Sequence, residues 1–340
     1  MTRIVLAIGY LLVVAVLFAK IYHNLPLTRG VDPTKTRDVF FIYTDASTLA
    51  EGKNPYQRIE GKDGKSNEKY TFYLPGFLWM AAGSIRLFEL NSYEDWMKRW
   101  IPISFVVHVL IGLILFFYSY NRWGVWSGIL GSSFWWFSRW PLALLRSGQI
   151  DNVAILFFVL ALVLVERKRL LGLVALGASL SVKQMAAFTV PLFLVWPILE
   201  GRLNTRALWN FSKQILVLGG VPLLVSLPFL LWDLESFFQM LMFPLTRDPS
   251  GPRSVEYFLG EVSLLGKVPF FTLIGICYWY FVREGEYLFP SILFVLLLFL
   301  GFNPVFFSRY FCWAIPVVPL AVFECIEKAR ELGRFKSKYS

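Results

Sequence analysis

The chain has 340 residues, 56% of them hydrophobic and only 16% charged, with a mean hydropathy of +0.57. Soluble domains carry roughly 25% charged residues, so these long apolar runs exclude an ordinary soluble domain and identify a polytopic helical membrane protein, since backbone groups in hydrocarbon must be satisfied within a helix. The formal charge of +10 is no nucleic-acid signature, because Lys and Arg gather in short connections between apolar runs, the pattern that orients membrane proteins.

The first apolar run, 4–21, lacks a small-x-small cleavage site before Lys20 and reads as an uncleaved anchor with a cytoplasmic N-terminus. A large first extracytoplasmic loop, 23–100, follows. It holds Arg37-Asp38 through Thr44-Asp45 to Gly52-Lys53-Asn54-Pro55-Tyr56, a helix-like stretch closed by turn residues. At about 100° per residue, positions seven apart differ by about 20° around a helix. Asp38 and Asp45 therefore share a face with or near Phe41, Ile42 and Leu49. After a polar turn-rich stretch at 61–69, the apolar segment 71–87 fits either a short span or a helix in the interface.

Charge separates these two options. If 71–87 does not cross, the spans are 4–21, 101–120, 124–145, 152–165, 171–182, 185–198, 215–232, 267–281, 287–302 and 310–325. Arg122, Arg167-Lys168-Arg169, the 202–213 connection, Arg283 and the basic tail 326–340 then all face the cytoplasm. If 71–87 crosses, Arg167-Lys168-Arg169 is translocated, against the positive-inside rule. The expectation is a single all-α membrane domain over 1–340, about ten (10–11) transmembrane helices, with interfacial helices in the first loop, a second extracytoplasmic loop at 233–262 and both termini cytoplasmic. Spans 171–182 and 185–198 are short for a ~30 Å core, and Lys183-Gln184 sits between them. Broken helices with charge at the tip mark membrane sites.

Several polar groups reach the outer side together in this topology. Asp38 and Asp45 come from the first loop. Arg146-Ser147-Gly148-Gln149-Ile150-Asp151-Asn152 forms a hairpin after Pro141, with Gln149 and Asn152 one helical turn apart. Lys183 caps the short pair. Arg247, Asp248, Arg253 and Glu256 lie in the second loop, and Asn303-Pro304 leads to Ser308-Arg309-Tyr310. Each has a plain alternative: a helix cap or solvated face for either aspartate, snorkelling for Lys183, lipid phosphate anchoring for Arg309, and helix packing for Gln149 and Asn152. Two histidines make no metal cluster, and Cys277, Cys312 and Cys325, in or at the ends of apolar runs and without metal or disulfide spacing, read as small buried hydrophobes. No cofactor or metal is called for. Together, a carboxylate that can take a proton from a hydroxyl and cations that can stabilise a leaving phosphate meet the needs of sugar transfer from a lipid-linked phosphate.

The ordered set resembles the GT-C superfamily of integral-membrane glycosyltransferases, and within it the family of polyprenol-phosphate-mannose-dependent mannosyltransferases. The matching residues are the acidic first loop with Tyr43, Ala46, Leu49 and Gly52-Lys53-Asn54-Pro55-Tyr56, then Phe72-Tyr73-Leu74-Pro75, Gly148-Gln149-Ile150-Asp151-Asn152, Gly177 with Lys183, and Asn303, Ser308-Arg309-Tyr310, Trp313 and Pro316. The family's Tyr-Pro-Pro-like turn is Tyr73-Leu74-Pro75 here. The resemblance implies a GT-C-like bundle in the cell membrane with an extracytoplasmic site. It further implies a polyprenyl-phosphate-linked sugar donor, a lipid-linked or glycan acceptor, a hexose (mannose favoured), inversion, and a first-loop aspartate as general base. Asp38 is the favoured base and Asp45 the second choice. Arg309, Lys183 and Arg146 are expected on the donor phosphate, and Gln149, Asp151, Asn152, Tyr43 and Tyr310 on substrate. Other classes stay open: a transporter or lipid flippase whose charges line a path, or a non-catalytic partner subunit of the same architecture.

Overall fold

The computed structural model describes residues 2–25, 37–59, 73–194, 205–242, 263–284, 287–303 and 308–339. Thr71, Phe72 and the second-loop residues Arg247, Asp248, Arg253 and Glu256 fall outside them. Among the described residues the chain is all-helical, with fourteen α-helices and three 3-10 turns. Three helices are long and apolar enough to cross a membrane: α1 (Thr2–His23), α4 (Tyr93–Trp123) and α10 (Thr205–Trp232). At 1.5 Å per residue, even the 22 residues of α1 reach about 33 Å, the thickness of a hydrocarbon core. Ile4, Val5, Leu12, Val13 and Val16 lie exposed along α1, an apolar surface suited to lipid rather than water. The protein is thus a helical membrane protein.

The first loop region is built around α2 (Arg37–Ala50). Val39, Ile42, Ala46 and Leu49 bury one stripe of it against α3 (Gly76–Leu87) and the core. The predicted acidic face lies beside this stripe, so Asp45 is buried rather than solvated. Gly52, at φ 83°, reverses the chain: its N–H donates to the Leu49 carbonyl and that of Lys53 to Thr48, a left-handed cap that a Cβ would strain. Arg86 donates from Nε to the Ala50 carbonyl at 2.6 Å, filling another acceptor at the helix end. Asn54 Oδ1 then accepts from the Tyr56 N–H at 3.0 Å, an Asx turn. The following 3-10 turn, Pro55–Ile59, places the buried Tyr56 so that its hydroxyl donates to the Tyr73 carbonyl at 2.9 Å.

Helix α3 has 12 residues, about 18 Å and shorter than a hydrocarbon core. Its first residue touches the end of α8 (Arg169–Val182): a Cβ on Gly76 would lie 2.7 Å from the Ser181 carbonyl oxygen. Only glycine allows that approach, which sets Tyr73 beside Lys183. Helix α4 starts eight residues before the predicted span, with Ser92 Oγ accepting from the Asp95 N–H at 3.1 Å as its N-cap.

Three predicted spans take a different course. The segment 124–145 is two helices, α5 (Val125–Trp136) and α6 (Arg139–Ser147), broken at Phe137-Ser138. In a continuous helix Pro141 would clash with the Phe137 carbonyl; in α6 it sits in the first turn, where no N–H bond is lost. The described part of span 185–198 is a 3-10 turn, Gln184–Thr189, followed by the short α9 (Val190–Phe193) with Pro191 in its first turn, and 195–198 lie outside the described residues. Span 310–325 is a 3-10 turn, Ser308–Trp313, and then α14 (Val317–Tyr339), which starts only after Pro316 and runs through most of the basic tail. The remaining predictions lie closer. Helices α7 (Asp151–Leu164), α8 and α13 (Leu288–Phe302) match within two residues. Helix α12 (Ser263–Glu284) extends beyond its predicted ends, and α11 (Leu234–Met242) occupies the start of the second loop.

Candidate active site

Four chain segments far apart in sequence meet at the N-terminal end of α7. Helix α2 brings Asp38 in its first turn, and the Ser308–Trp313 turn brings Arg309, Tyr310 and Trp313. Asp151 opens α7, while Lys183 occupies the extended residue between α8 and the next 3-10 turn.

Two ion pairs form the centre. Arg309 Nη2 donates to Asp38 Oδ2 at 2.5 Å, with both side chains about one quarter exposed (23% and 27%). Lys183 Nζ donates to both oxygens of Asp151, at 2.8 and 2.9 Å, and this pair is sealed from solvent. Trp313 Nε1 adds a third donor to Asp151 Oδ1 at 3.1 Å. The rings of Tyr73 and Tyr310 lie 5.1 and 5.4 Å from Lys183 Nζ, so the ammonium is held between a carboxylate and two aromatic faces. Arg309 also feels Asp151. Burial disfavours its charged form, but Asp38 and then Asp151 outweigh that and raise its pKa above the ordinary arginine value.

Among the described residues, these pairs bring two carboxylates and two cations together. A buried ion pair gives little net stability compared with apolar side chains. Charges held in place at low local dielectric act strongly on any charge that develops beside them. The partly open Asp38–Arg309 pair can exchange partners with a ligand, whereas Asp151 is occupied by three donors and can serve Lys183 as a fixed counter-charge.

The other expected residues have separate neighbours. Asp45 turns to Arg58 on the 3-10 turn after Gly52: Arg58 Nη2 donates to Oδ2 at 3.1 Å, and the Nε–Oδ1 approach of 3.0 Å is an ion contact out of line for a hydrogen bond. Tyr43 packs its ring against Tyr93 and Trp96. Asn152 donates from Nδ2 to Ser104 Oγ on α4 at 2.9 Å and is fully buried, the helix-packing contact among its alternatives. Gln149 lies in the turn before α7, not one turn along the same helix, and is buried; Arg146 is exposed on α6.

Arg58 and Ser104 carry no signal of their own in the sequence. Arg58 reaches Asp45 only because the Gly52 cap folds the chain back, and the thirteen-residue separation shows no helical spacing. The order Asp-then-Gly-x-Asn-Pro contained that information, for a reader who took the cap as a reversal. No protein-family model matches this chain, and no curated protein matches it.

Proposed function

We propose that the protein is a membrane glycosyltransferase of GT-C-like architecture that moves a hexose, mannose favoured, from a polyprenyl-phosphate donor to an acceptor hydroxyl with inversion. The observation that carries this reading is the Asp38–Arg309 ion pair, which sets a carboxylate from the chain's first loop beside a cation from its end, next to Asp151 and Lys183. A base for the acceptor and charge for the leaving phosphate are thereby side by side. The fold proposed for it is a bundle of about ten spans, with both termini cytoplasmic, the site extracytoplasmic, and α2 and α3 lying at the membrane surface.

In the proposed reaction the donor phosphate engages Arg309 and draws it from Asp38, so donor binding frees the base. The Asp38 carboxylate takes the acceptor hydroxyl proton as that oxygen attacks the anomeric carbon. The bond from that carbon to the phosphate oxygen breaks, and polyprenyl phosphate leaves with the electron pair and one more negative charge. Arg309 and Lys183 offset that charge. Binding is therefore ordered, donor before acceptor.

The test is release of free polyprenyl phosphate from a labelled lipid-linked sugar by purified protein in detergent, with acceptor present. Release that disappears in Asp38→Asn supports the reading. Movement of intact lipid-linked sugar across a vesicle membrane without cleavage would replace it with the flippase alternative, which the charge-tipped short helices α7 to α9 also suit.

A further inference from the structure

The geometry points to a second site, for one anionic phospholipid, at the end of α7 opposite the ion pairs. A cavity of about 440 Å³ lies between α4 and the C-terminal end of α7, within the ~300–1,000 Å³ range of small-molecule pockets. Its helix-borne walls are apolar, with Ile114 and Phe117 from α4 and Val163 from α7. Asn121, Arg167 and Lys168 line it where the two helices end. Phe117 is half exposed, so the apolar wall continues onto the outer face of a helix long enough to span the bilayer.

Charge selects the occupant. Among the described residues, Arg122, Arg167, Lys168 and Arg169 lie near this end, and two of them are engaged by the protein. Arg122 meets Glu166 at 2.5 Å and Glu327 at 3.0 Å. Arg169 donates to the Phe193 carbonyl at 3.0 Å. Arg167 and Lys168 are exposed, and no carboxylate among the described residues pairs with either. Two cations above an apolar cleft fit a phosphate headgroup joined to an acyl chain better than a free anion, which has nothing to place along Ile114 and Phe117. Basic pockets between membrane helices take anionic lipids on these grounds. The site lies about 20 Å from Asp151, the length of the 14-residue α7. It rests on the membrane character of α4 and not on the transfer reaction.

Native mass spectrometry of the full chain, released from detergent with phosphatidylglycerol or phosphatidylcholine, tests it. Wild type is expected to retain one phosphatidylglycerol and no phosphatidylcholine, with inorganic phosphate unable to displace the lipid. Arg167→Ala/Lys168→Ala should weaken retention about 30-fold, each cation near an anionic headgroup contributing about 5-fold. Ile114→Trp should weaken it by filling the cleft with no change of charge. Arg206→Ala/Lys213→Ala, which removes the same charge from α10, should leave it intact. If the first double variant does not fold, Arg167→Gln alone is expected to lose about 5-fold. Equal loss in the α10 variant, displacement by phosphate, or full retention in Ile114→Trp would each overturn the site.

Discussion

The two ends of α7 each carry a charge cluster, and the two differ in burial and in how far apart in the sequence their members lie. At the C-terminal end, Arg122 is shared by Glu166 and Glu327, with Tyr118 and Trp123 donating to the same carboxylates at 3.0 and 3.1 Å. All three charged side chains are 22–33% exposed. This cluster joins α4, the α7–α8 turn and α14 through one guanidinium shared by two carboxylates, so it behaves as a brace. At the N-terminal end the two described ion pairs each match a carboxylate with a cation, and one pair is withdrawn from water. Its members come from the first loop, the start of α7, the extended residue after α8 and the last tenth of the chain. A cluster with one half sealed and the other partly open adds little net stability.

Substitutions at five positions sharpen or break this contrast. Asp38→Asn keeps size and shape but removes the proposed base, so transfer should fall by about 10²–10⁴-fold while thermal melting in detergent hardly moves; retained turnover would end the assignment of Asp38. Lys183→Met leaves Asp151 charged and buried, which should cost about 3–5 kcal/mol. The double variant Lys183→Met/Asp151→Leu should regain much of that in melting experiments but stay inactive, because the pair would serve the phosphate and not the fold. Asn152→Ala, which loses the buried bond to Ser104, should cost about 1 kcal/mol and leave the acceptor KM unchanged. A raised acceptor KM would move Asn152 into the substrate site. The smallest effect is expected at the brace: Arg122→Ala should cost about 1 kcal/mol or less, fading with added salt, with transfer intact. An activity loss at Arg122 matching that of Lys183 would erase the distinction between the two ends.

Much of the architecture was legible from hydropathy alone. The apolar runs that became α7, α8 and α13 were readable to within two residues because apolar length is a local property. Prolines were the weak point. Pro102, Pro222 and Pro269 lie inside continuous helices, whereas Pro141, Pro191 and Pro316 mark breaks. Pro141 and Pro191 fall in the first turn of a helix, where no N–H bond is lost, whereas an interior proline frees a carbonyl that its neighbours must accommodate. The acidic face of α2 was likewise readable from a seven-residue spacing, but its division of labour was not. Asp38 meets a residue 271 positions away and Asp45 one 13 positions away.

By itself, the sequence determined that this is a helical membrane protein, which segments are apolar, and that two aspartates share one helix face. Those follow from composition and the helical period, which each residue and its near neighbours set. Tertiary structure alone decided which cation each aspartate holds, and that Lys183 is committed to Asp151. Ion pairing depends on distance in space, and here that distance is set by close approaches such as Gly76 on Ser181 and by the Gly52 reversal, which bring remote segments together.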